Sequence, residues 1–115
     1  MKTVNHGMWR RYYPPKLRPD APPNTMFLKR EEDGIDWYVY VHAGDKFKDG
    51  SVIITCHKED DGWVVSAATR DPTMLFPNDH MIIELIACAG DDPQSEFGKK
   101  LFNPESGIFM ERIPK

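Results

Sequence analysis

The chain of 115 residues has no run of apolar residues long enough to cross a bilayer, which argues against an integral membrane protein. Met1-Lys2-Thr3-Val4-Asn5-His6 lacks the apolar centre of a secretory signal, so the expectation is a protein made and kept in a cytoplasm or assembled there. Cysteine is scarce, with only Cys56 and Cys88, each inside an apolar stretch. Two buried free thiols are expected; a disulfide would require neighbouring strands, and nothing points to an oxidising compartment. Cys-x-x-Cys, His-x-x-x-His and other paired ligand spacings are missing, and in a strand the adjacent Cys56 and His57 would point to opposite faces. His6, His42, His57 and His80 therefore define no metal site at this level, and no cofactor is expected. Acid clusters at Asp33/Asp36, Asp45/Asp49 and Glu59-Asp60-Asp61 sit beside glycines, but the alternating ligands and distal Glu of a calcium loop are absent. Gly-x-Ser-x-Gly and phosphate-cradling glycine loops are absent too, so no catalytic residues are assigned and no enzyme is expected.

What is present is charge asymmetry, proline and β-forming residues. The net charge of −3 divides into +6 over residues 1–30 and −9 over residues 31–115. A basic segment on an acidic body points to an acidic partner surface, either nucleic acid or a neighbouring copy. Five of the ten prolines lie in residues 1–24, which reads as an extended arm over residues 1–25, neither helix nor central strand. The arm carries Trp9, Arg10, Arg11, Tyr12, Tyr13 and Leu17, the candidate interface residues. Aromatics on a stiff arm bury much surface at low entropic cost, either on a partner or back on their own domain. Trp9-Arg10-Arg11-Tyr12-Tyr13 also mixes stacking and cationic groups, as a single-strand binder does, although the acidic body opposes a phosphate backbone.

Residues 26–90 read as a small antiparallel β-meander, a sandwich or partly open barrel of about five to six strands. Residues 36–41 (Asp36-Trp37-Tyr38-Val39-Tyr40-Val41) are its expected central strand, with Ile35, Trp37, Val39 and Val41 on one face and Asp36, Tyr38, Tyr40 and His42 on the other. Strands are further expected over 26–30, 51–57, 63–69 and 80–88, joined in part by Asp-Gly turns at Asp33-Gly34, Asp49-Gly50 and Asp61-Gly62. Within Arg70-Asp71-Pro72-Thr73-Met74-Leu75-Phe76-Pro77 one helical turn is expected, capped by Thr69 or Asp71 and tucking Met74, Leu75 and Phe76 over the sheet end. Residues 91–115 form an irregular C-terminal docking tail with spaced apolar anchors, and residues 108–112 offer a last edge strand.

Phe27-Leu28-Lys29, then Asp33-Gly34-Ile35-Asp36-Trp37-Tyr38, then Ala68-Thr69-Arg70-Asp71-Pro72-Thr73-Met74-Leu75-Phe76-Pro77 resemble small proteins of tailed bacteriophages and prophages found among virion and tail-fibre genes. The resemblance spans about residues 26–86 and brings no functional residues with it. It implies a non-enzymatic phage structural protein, a tail or fibre-attachment component that assembles with other virion proteins as a homo-oligomer or hetero-assembly. Its location would be the virion, assembled in the host cytoplasm. The alternatives are a tail-fibre assembly chaperone and arm-mediated nucleic-acid binding.

Overall fold

The computed structural model describes residues 2–12 and 27–112. Its frame is a seven-stranded antiparallel sheet built from β1 (Lys2–Tyr12), β2 (Phe27–Arg30), β3 (Val52–Glu59), β4 (Gly62–Thr69), β5 (His80–Ile86), β6 (Leu101–Asn103) and β7 (Ile108–Met110). Two short helices, α1 (Trp37–His42) and α2 (Pro93–Phe97), and a 3-10 turn at Pro72–Met74 complete the described elements. The strand order is β2-β1-β5-β3-β4-β6-β7, so the sheet is open and is not the meander expected. Successive strands pair at the β1–β2, β3–β4 and β6–β7 hairpins, but β5 leaves β4 and inserts between β1 and β3. The reason is burial on both faces. Met81-Ile82-Ile83-Glu84-Leu85 is buried throughout, which only a central strand covered on both sides allows.

One face packs Val52, Ile54, Cys56, Val65, Met81, Ile83 and Leu85 beneath Phe97 of α2 and Phe102 of β6. The tail expected at 91–115 thus covers a core face through residue 110. Asp92 caps α2 by accepting from the Ser95 amide at 3.1 Å, and Pro93 supplies the first helical position. The sheet curls far enough that a Cβ on Gly107, in the β6–β7 turn, would lie 3.3 Å from Thr3 Oγ1 on β1. The opposite face packs Trp9, Ile53 and Ile82 beneath Trp37 and Tyr40 of α1 and Leu75.

Two expectations fail here for physical reasons. Residues 36–41, expected as the central strand, contribute α1 instead. Trp37, Tyr40 and Val41 also satisfy helical spacing, Asp36 caps the helix by accepting from the Val39 amide at 3.2 Å, and the apolar stripe meets the core. A six-residue helix has little stability of its own, so tertiary packing overrode the β preference of these residues. The arm, expected to be no central strand, is one over Lys2–Tyr12, paired with both β2 and β5. Proline begins only at Pro14, and averaging composition over 1–25 hid an eleven-residue strand free of it.

Candidate interaction surface

A bulge in β1 begins the site. Pairing with β5 shifts register between Asn5 and Met8, and Gly7 takes φ +93° there. The extra residue lets His6 and Trp9 reach the α1 side of the sheet, while Met8 packs against the other core. Trp9 is fully buried, edge-on to Trp37 at 4.9 Å between ring centroids, with its indole N–H donating to the His6 carbonyl at 3.2 Å.

A polar chain then fastens α1 to the sheet. The Tyr40 hydroxyl lies 2.6 Å from His6 Nδ1, and His6 Nε2 lies 2.8 Å from Glu84 Oε1. The Lys48 amide donates to Glu84 Oε2 at 2.7 Å, and Arg30 donates to the Tyr40 oxygen at 3.3 Å while stacking over its ring. Burial lowers the His6 pKa below 6.5, opposed by Glu84 and assisted by Arg30. Burial alone would raise the Glu84 carboxyl, but the Lys48 amide and His6 hold it below 4.5. A neutral His6 that donates from Nε2 and accepts at Nδ1 satisfies the whole chain with one proton per contact. Its role is positional: it fixes the inner side of α1 and so sets what the outer side displays.

That outer side is apolar. Tyr38 and Val39 are 63% and 52% exposed, and Met74 and Phe76, at and just beyond the 3-10 turn, are 69% and 67% exposed. The two segments are locked together by the Trp37 indole N–H, which donates to the Leu75 carbonyl at 3.0 Å. Asp71 caps the turn and Leu75 is buried as expected, whereas Met74 and Phe76 point outward and do not tuck over the sheet. Ile108 and Met110 add a second exposed apolar pair on β7, at the sheet edge.

Of the residues expected to meet a partner, Trp9, Arg10 and Tyr12 have side-chain contacts within the chain and Arg11 has a backbone one. Trp9 is core. Arg10 pairs with Asp79 at 2.6 Å and Glu31 at 3.4 Å. The Arg11 amide donates to Asn78 Oδ1 at 3.0 Å, and the Tyr12 hydroxyl donates to Asp36 at 2.8 Å. Within the described part of the basic segment, Arg10 and Arg30 pair with acids of the chain's own body. Tyr13 and Leu17 lie outside the described residues. Sequence reasoning missed Tyr38 and Val39, since a strand reading divides residues 36–41 between faces differently from a helix.

A cleft of about 200 Å³ opens between loop 44–50, Val41 and Arg70. It is smaller than the roughly 300–1,000 Å³ of small-molecule sites. The Arg70 guanidinium beside it is spent on the carbonyls of Gly50, Cys88 and Gly90. Among the described residues no helix is long and apolar enough to cross a membrane. No family model, curated protein or solved structure matches the chain.

Proposed function

We propose that this chain is a non-enzymatic assembly protein that docks on a protein partner through Tyr38, Val39, Met74 and Phe76. The observation that carries the reading is the two-sided character of α1. Its inner side is fixed by Trp37, Tyr40 and the His6–Glu84 chain, while its outer side and the adjoining turn hold large apolar groups in water. Rigidly presented aromatic and methionine side chains are the groups that supply interface energy. The phage setting, a tail or fibre-attachment part of the virion, rests on the sequence resemblance alone.

Mass spectrometry of particles purified from the source phage or induced prophage tests the setting. A fixed small copy number per particle is expected. Presence in the lysate but absence from finished particles would overturn the structural role and leave an assembly chaperone. Phe76→Asp tests the surface: incorporation should fall while the thermal midpoint of the free chain stays unchanged. Normal incorporation of Phe76→Asp together with Tyr38→Asp would place the contact elsewhere.

A further inference from the structure

The cleft between loop 44–50 and Arg70 contains an unanswered polar group. Pairing of Ile53 on β3 with Thr69 on β4 brings Ser51, just before β3, alongside Arg70, just after β4. Both line the cleft, together with Lys46 and Lys48 of the loop, Val41 of α1 and Pro72 of the 3-10 turn. Ser51 is 3% exposed, and its hydroxyl oxygen is the one buried side-chain nitrogen or oxygen among the described residues that has no hydrogen-bond partner. The Ser51 amide donates to the Lys48 carbonyl at 3.1 Å, so only the side chain is left over. A buried hydroxyl without a partner is destabilising, and a native fold characteristically keeps one where a water, an ion or a ligand meets it.

The charge around this hydroxyl is positive. Lys46, Lys48 and Arg70 line the cleft against one acid, Asp49. Arg70 gives hydrogens to the carbonyls of Gly50, Cys88 and Gly90, which hold it in place but bring no charge to neutralise it. Among the described residues neither Arg70 nor Lys48 forms an ion pair. Lys46 lies 4.0 Å from Asp45, which is largely exposed. The nearby Glu84 carboxylate already accepts from the Lys48 amide and meets His6. At about 200 Å³ the cleft exceeds the roughly 30 Å³ share of one water molecule and falls short of a drug-sized site.

We propose that the cleft binds a small oxyanion of the phosphate class, with the Ser51 hydroxyl donating to one of its oxygens and Lys46, Lys48 and Arg70 balancing its charge. The oxygens of such an ion accept, which is what a hydroxyl proton without an acceptor requires. Hydrogen bonds to an ionised acceptor are the stronger kind, and lysine meets phosphate as a point charge. Asp49 works against the anion, so the excess of three cations over one acid in the lining decides the sign of the ligand. Free phosphate and the terminal phosphoryl group of a small metabolite present the same oxygens. The assignment is independent of the docking surface, since none of Tyr38, Val39, Met74 and Phe76 lines the cleft.

The test is titration of the full chain with sodium phosphate, read by amide NMR, with sodium chloride at matched ionic strength as the control. Saturable shifts are expected at loop 44–50, Ser51 and Arg70, with none from chloride. Ribose 5-phosphate separates the two sources: tighter binding than phosphate assigns a phosphorylated metabolite, and equal or weaker binding assigns the free ion. Ser51→Ala removes only an unpartnered hydroxyl, so the thermal midpoint without phosphate should hold or rise, while phosphate affinity falls about 10–100-fold. Lys48→Gln keeps the amide donated to Glu84 and should weaken binding as well, whereas Asp49→Asn should strengthen it. The proposal is overturned if phosphate produces no saturable shift, which would leave Ser51 to water, if chloride reproduces the shifts, or if Ser51→Ala binds phosphate as the unmodified chain does. Should Ser51→Ala fail to fold, the opposite effects of Lys48→Gln and Asp49→Asn, both on the exposed loop, still decide.

Discussion

His6 and Glu84 stand on neighbouring strands with Nε2 and Oε1 2.8 Å apart, both out of reach of bulk water. The imidazole is held below its ordinary pKa of 6.5 and the carboxyl below its ordinary 4.5. In both cases the unfolded chain binds more protons than the folded one, so stability falls as the solution is acidified. The His6 contribution is fully present above pH 6.5 and is lost as pH falls toward its depressed folded value; the Glu84 contribution is lost below pH 4.5 in the same sense. Urea midpoints measured on either side of pH 6.5 should therefore differ in the unmodified chain, and that difference should shrink in His6→Gln.

Gly7 makes the bulge possible. A Cβ there would stand 2.8 Å from Arg30 Cδ, on a backbone at φ +93°. Gly7→Ala should cost about 1–3 kcal/mol from the backbone alone, plus the displacement of Arg30 from Tyr40. Gly34→Ala is the matched comparison: φ is +74°, but nothing lies within 4 Å of its Cβ. Chemical denaturation should show the larger loss at Gly7.

Trp9→Ala should destabilise the chain by about 3–5 kcal/mol, because it empties the space between Trp37, Tyr40 and Arg30. A free docking arm makes the opposite forecast, a folded body with weakened assembly. Thermal unfolding of the isolated protein separates the two.

The free thiols should react in order. Burial pushes Cys56 up to about 12 and leaves it no exposed surface, whereas Cys88 is raised by burial and by Glu96 but stays partly accessible. A disulfide-exchange reagent should label Cys88 in the native protein and Cys56 only after denaturant is added.

The sequence speaks clearly where local chemistry decides. The β3–β4 hairpin announces itself through Asp61-Gly62, and Asp71-Pro72 marks the 3-10 turn. It speaks ambiguously where one pattern fits two structures. In residues 36–41 the alternation of a strand and the stripe of a short helix share Trp37 and Val41, and only the core beneath α1 chooses between them. Strand order was legible in one respect that the meander reading passed over: the uninterrupted apolar run around Ile82-Ile83 belongs in the middle of a sheet. The cleft at Ser51 stayed hidden because Ser51 meets Arg70 only through the pairing of Ile53 with Thr69, which local spacing does not encode.

The strand order has a consequence for synthesis. β1 leaves the ribosome first, yet one of its two partners, β5, ends at Ile86. At about 5–20 residues per second, β1 waits on the order of several seconds before that edge can close. During the wait Trp9 and the unpaired backbone of β1 are open to chaperones or to the nascent chains of neighbouring ribosomes. Closing the sheet through so distant a pair makes folding slow relative to a hairpin-built sheet of the same size. The nascent chain, more than the finished one, is where this sheet is most exposed to mispairing.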